Sequence, residues 1–176
     1  MDVYNLPLGL ALHPTDPCHP GNATPSDLKF SGGKVWVLLG NLDSAFHVAG
    51  NSFLAQVDPN NFSNTHYYEL QDCKNATSLA TATTLLLIAC TNDYASPGKA
   101  LLFDTESLTV VWDYATGGAP TSTAVLGNKG YLNDVLGSGV MSVDVTLAGS
   151  STIFVDSAHE VPACPVGQYL ASVAAG

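Results

Sequence analysis

Three stretches of the chain are written in one grammar, and this repetition limits the fold more tightly than any single motif. "NATPSDLKFSGGKVWVLLGNLD" (Asn22–Asp43), "NATSLATATTLLLIACTND" (Asn75–Asp93) and "APTSTAVLGNKGYLND" (Ala119–Asp134) each give a Ser/Thr-rich strand, a tight turn, an apolar strand, then Asn/Asp. Each block continues alike. "SFLAQVDPNNFSNTHYYEL", "KALLFDTESLTVVWDYA" and "GVMSVDVTLAGSSTIFVDS" read as a strand closing on Asp58, Asp104 or Asp144, a turn, and an outer strand. Four strands per unit follow.

The closing aspartates stand 46 and 40 residues apart, the period of β-propeller blades built from four antiparallel strands. "LLLIAC" (Leu85–Cys90) is apolar on both faces, as a strand sandwiched between neighbouring sheets must be, and no stretch carries a helical stripe. The predicted fold class is therefore all-β: a β-propeller with about three complete four-stranded antiparallel blades, near residues 22–70, 75–115 and 119–157. Inner strands are expected near 24–31, 77–84 and 121–127. "DVYNL" (Asp2–Leu6) and "GQYLASVAAG" (Gly167–Gly176) read as partial blades at the two ends. A chain that starts and stops within blades is expected to be one segment, 1–176, of a longer propeller, and to self-associate when isolated because its terminal faces and edges lack neighbours.

"KGYLNDVLGSGVMSVDV" and "KALLFDTESLTVVWDYATGGAPTSTAV" resemble the YVTN-type, YncE-like propeller repeats of bacterial surface and periplasmic proteins, which overlap with lactonase-type propellers. The resemblance spans most of residues 24–175, with Trp36 and Leu86 at the position of the repeat's aromatic residue and no Pro before the second block. It implies a propeller fold outside the cytoplasm. It does not fix a function, because such propellers host many roles.

Charge narrows the partners. The net charge is −10, with five Lys and no Arg, so a phosphate-tracking surface has almost nothing to be built from, and neither nucleic acid nor an acidic membrane is an expected partner. The longest strongly apolar run is six residues, far short of the roughly 20 a spanning helix needs. With 46% hydrophobic residues the chain can build a core, while only 11% are charged, so its polarity comes from Ser, Thr, Asn and Gly.

In blade geometry the turn after the second strand and the connection between blades share one end. That gathers Asn41, Asp43, Asn92, Asp93, Asn133 and Asp134 on one rim, where carboxylate and amide oxygens could hold a cation or a polar ligand. The same residue types also favour turns by bonding their own backbone. Nothing resembles G-x-S-x-G, a P-loop, H-E-x-x-H or an EF-hand, and no cofactor or metal centre is expected. His13, His19, His47, His66 and His159 are scattered over loops and edges. Trp36, Trp112, Tyr67, Tyr68 and Tyr131 either stack a ligand or pack between blades, and Asn22, Asn61 and Asn75 stand in glycosylation sequons.

Four cysteines without C-x-x-C or zinc spacing read as disulfide-forming, or else as buried free thiols. In the blade reading Cys73 and Cys90 come to one end of a hairpin and pair, while Cys18 and Cys164 stay unpaired. Two functions remain. One is a non-catalytic secreted or periplasmic binding or scaffold module for a protein, glycan or small ligand. The other is a lactonase-like hydrolase propeller whose catalytic residues lie largely in missing blades, since such a hydrolase needs a polarising cation or positive group beside a general base and Arg is absent here. A quinone-dependent dehydrogenase is weaker, since neither a vicinal Cys pair nor a tryptophan-docking signature is present.

Overall fold

The computed structural model describes residues 23–146, apart from 95 and 136–138. Among the described residues all regular structure is β, in three antiparallel sheets whose strands pair in chain order. The first holds β1 (Pro25–Ser31), β2 (Lys34–Leu39), β3 (Asn51–Asp58) and β4 (Asn61–Lys74). β5 (Ala76–Ala82), β6 (Leu85–Cys90), β7 (Lys99–Asp104) and β8 (Thr109–Ala115) make the second. In the third are β9 (Thr123–Leu126), β10 (Lys129–Asp134) and β11 (Gly139–Asp144). The outer strand expected at "STIFVDS" lies outside the described residues, as do "DVYNL", "GQYLASVAAG", Cys18, Cys164, His13, His19, His159 and Asn22.

Each first hairpin closes over two residues, because Ser31 pairs with Lys34, Ala82 with Leu85 and Leu126 with Lys129. Gly32 and Gly33 both have positive φ, the twist that suits a two-residue hairpin. Thr83 takes the same left-handed backbone at φ 54°, which a β-branched residue adopts only under strain. The aspartate closing each third strand caps the turn that follows. Asp58 accepts the Asn60 N–H at 2.9 Å, Asp104 those of Glu106 and Ser107 at 3.1 and 3.3 Å, and Asp144 that of Thr146 at 2.9 Å. In the first and third sheets the carboxylate also meets the lysine opening the second strand, Lys34 at 2.7 Å and Lys129 at 3.5 Å.

The sheets stack face to face through their first strands, with β5 against both β1 and β9. β6 is buried over its whole length, and its alternation divides it between two cores. Leu86, Ile88 and Cys90 join Trp36, Leu38, Leu54 and Phe103 between the first and second sheets. Leu85, Leu87 and Ala89 join Leu132, Met141 and Val143 between the second and third. Trp36 sets an edge against Phe103 at 5.8 Å and donates its indole N–H to the Ser31 carbonyl. A Cβ on Gly130 would come within 2.6 Å of the Leu87 side chain, so glycine there lets the third sheet close onto the second.

Polar ties between the sheets explain why the first strands are rich in Ser and Thr. A bulge at Pro25–Asp27 lets two consecutive residues face the second sheet, where Ser26 donates to the Ala76 carbonyl at 2.7 Å and Asp27 accepts the Leu79 N–H at 2.8 Å. The bulge recurs at Ala76–Ser78. There Thr77 reaches the Pro120 carbonyl at 3.5 Å and Ser78 accepts the Thr123 N–H at 3.0 Å. Ser52 bridges the Gly40 carbonyl and the Ala76 N–H, and Thr91 donates to the Pro120 carbonyl.

The Cys73–Cys90 disulfide is formed, with Cα atoms 5.3 Å apart and both residues buried. Cys73 lies in β4, which runs for 14 residues, rather than at the start of the second sheet's hairpin. The bond therefore fastens the outer strand of one sheet to the second strand of the next.

Candidate functional site

The turns β2–β3 and β6–β7 lie at the same end of the stack as the connections β4–β5 and β8–β9. Backbone bonds Asn92 N–H to Lys74 carbonyl, Thr91 N–H to Asn75 carbonyl and Gly98 N–H to Gly118 carbonyl sew that end together. The predicted rim residues are on it, and the side chains of all but Asp134 have defined partners.

Asn41, Asn92 and Asn133 occupy equivalent places just past the apolar part of each second strand. Asn41 is fully buried in left-handed backbone at φ 55°, and its amide donates to the Asn51 carbonyl at 2.7 Å. Its Oδ1 is buried without a partner. Asn92, at φ 64°, donates to the Pro97 carbonyl at 3.2 Å and receives the Asn75 amide on its own carbonyl. Asn133 is buried, accepts the N–H groups of Thr121 and Ser122 at 2.9 and 2.7 Å, and donates to the Thr121 hydroxyl. All three amides thus hold loops in place, the work Asn side chains do when they stand in for a backbone turn.

Asp43 is nearly buried, and its Oδ1 accepts the N–H groups of Ala45 and His47, both at 2.8 Å. The His47 N–H, foremost, holds this carboxyl below the ordinary carboxylate range. Its Oδ2 faces Nδ1 of the exposed His47 ring at 3.3 Å. Asp93 is exposed and accepts the Ser96 N–H at 2.7 Å. Asp134 ends β10 opposite Gly139. No three of His, Cys, Asp or Glu converge as a metal site among the described residues.

A second concavity was not singled out in the sequence. Between β4 and the outer part of the second sheet runs a groove of ≈ 580 Å³ lined by Tyr67, Tyr68, Leu101, Phe103 and Val110, with Glu69, Asp72 and Asp113 at its polar side. Lys99 binds Asp113 at 2.9 Å and reaches Asp72 at 3.9 Å. Burial pushes the Tyr67 phenol above its usual range. Only the doublet "YY" hinted at it, since the opposing wall lies some 35 to 45 residues further along the chain. Trp36 is core, and Trp112 stacks parallel to Tyr114 on β8 at 6.2 Å. His66 bonds Asn64 on an exposed strand, and of the described sequon asparagines Asn61 is exposed while the Asn75 amide is engaged.

No family model matches the chain, and no curated protein matches it. Among solved structures, apo AztD from Citrobacter koseri is similar at 14% identity with a TM-score of 0.44, over 76% of this chain and 46% of that one. The chain thus spans about half the length of that structure, and the likeness says nothing of ligand or role. Among the described residues no helix is long and apolar enough to cross a membrane.

Proposed function

We propose that the chain is a run of successive β-propeller blades serving as a non-catalytic, secreted or periplasmic binding module, with its ligand met at the loop-bearing rim. The observation that supports this most is the use of the rim amides. Asn41, Asn92 and Asn133 are committed to fixing loop backbone, so the rim is a preorganised platform, with His47 and Asp93 standing out into solvent. Of the six candidate residues Asn41, Asp43, Asn92, Asp93, Asn133 and Asp134, the buried Asn41, Asp43 and Asn133 hold the rim from beneath while Asn92 and Asp93 reach its surface. The Cys73–Cys90 disulfide fits an oxidising compartment.

One observation favours a hydrolase as the second reading. Asp43 is held as a carboxylate beside Nδ1 of the exposed His47, the relation of an orienting acid to a general base. Backbone amide spectra, titrated separately with calcium chloride and with a mixture of neutral oligosaccharides, test the first reading, and γ-butyrolactone and an aryl ester test the second. Shifts confined to residues 41–50, 91–98, 116–122 and 133–134, without turnover, are expected. Turnover abolished by His47→Ala would replace the binding module with the hydrolase.

A further inference from the structure

The groove between β4 and the second sheet takes no part in the rim, and its two ends differ in chemistry. Its floor is apolar: Leu101 and Phe103 of β7 meet Tyr68 of β4, with the Tyr68 and Phe103 rings 5.6 Å apart. Leu108 and the exposed Val110 carry that surface on towards β8.

Charge gathers where β7 begins. Lys99 is mostly buried and gives its ammonium to Asp113 at 2.9 Å. Asp72, 86% exposed, stands 3.9 Å from the same ammonium, beyond hydrogen-bond length. The Glu69 carboxylate accepts the Asn51 amide at 2.8 Å instead. Asp72 holds its place because β4 bulges there: Ser52 pairs with Leu70 and Asn51 with Lys74, so residues 71–73 are extra to the ladder. Cys73 turns inward from the same bulge to its disulfide and fixes it. Both ends of the described segment lie away from the groove, for Ala23 packs on the opposite face of the first sheet with Val37, Phe53 and Val57, and Thr146 follows the last strand of the third.

We propose that this groove binds a small organic cation, an ammonium group carried on an aromatic or aliphatic body. At ≈ 580 Å³ the space matches the sites that take small molecules, and its apolar floor suits the body of one. Three lining carboxylates face one lysine, in a chain of net charge −10, which favours a cation over an anion of the same shape. The ammonium is met by Asp72, the carboxylate that Lys99 leaves within reach of solvent. The site is separate from the rim, so either reading can fail without the other.

The probe is phenethylammonium chloride, with sodium phenylacetate and 2-phenylethanol as the anionic and neutral molecules of the same body, each titrated into the full chain while backbone amide spectra are recorded. Saturable shifts confined to residues 67–72, 99–103 and 108–113 are expected for the cation, at concentrations where phenylacetate gives none, and added sodium chloride should weaken them. No shifts, shifts elsewhere, or an equal response to all three molecules overturns the proposal. Asp72→Asn should weaken binding roughly two- to fivefold. Val110→Lys, which places an ammonium on the exposed wall, should abolish it, the spectra of both variants keeping the dispersion of the folded chain. Unchanged affinity in Val110→Lys contradicts the site. So do nuclear Overhauser contacts, in the chain without probe, from Tyr68 and Val110 to residues 1–22 or 147–176, which would show the groove filled by the chain itself.

Discussion

Asp58, Asp104 and Asp144 close equivalent strands, and each carboxyl lies below its ordinary value of 3.8. The foremost cause differs: the Lys34 ammonium for Asp58, the Glu106 N–H for Asp104 and the Thr146 hydroxyl for Asp144. A depressed folded-state pKa gives stability that is present above the unfolded value and lost as pH falls through the folded one. Denaturant midpoints should therefore hold level down to about pH 5 and decline below about 3.8, and Asp104→Asn should shrink that acid decline. Ser52→Ala should cost roughly 1–3 kcal/mol in equilibrium unfolding, because it strips a buried acceptor from the Ala76 N–H. The sequence marked the Asn/Asp positions of the rim but not the direction of their amides. An Asn in a turn has the same letters whether it bonds solvent or its own loop, and only the positive φ of Asn41 and Asn92 and the pairing around Asn133 decide.

Two of the first hairpins were legible because Gly32–Gly33 and Gly127–Asn128 interrupt strand-like runs, whereas Thr83–Thr84, both strand formers, fell inside the strand expected near 77–84 and turn out to close the hairpin. β6 was legible too, since six successive apolar residues leave no solvent face. Thr83→Gly should raise stability by about 1 kcal/mol in thermal or denaturant unfolding, as it relieves the left-handed strain and keeps the carbonyl that Ser31 uses. Outer strands were harder to bound. β4 continues past the buried Leu70 through exposed Gln71, Asp72 and Lys74, with only Cys73 buried among them, a length that no hydrophobic pattern announces, and for that reason the disulfide partner was foreseeable while its role between sheets was not. Replacing Cys73 and Cys90 together by Ala should cost about 3 kcal/mol in the chain-entropy account for a separation of 17 residues. Unfolding midpoints with and without reductant check this, and reductant should leave the double variant unchanged.

At the scale of the molecule, three sheets form a stack because β1 and β5 are each bulged so that two polar groups reach the next sheet at or just before its first strand, while apolar residues from flanking strands fill the space between. The central sheet is therefore the most protected element, and amide exchange should be slowest in β6. The groove beside β4 arises at this scale as well, from walls brought together by stacking and not by sequence proximity. The stacking is tested most directly by nuclear Overhauser contacts in an isotope-labelled chain at low concentration. The account predicts cross-peaks from the Leu79 amide to the Asp27 β-protons and from the Thr123 amide to the Ser78 β-protons. Absence of both, with the hairpin contacts of each sheet intact, would contradict it.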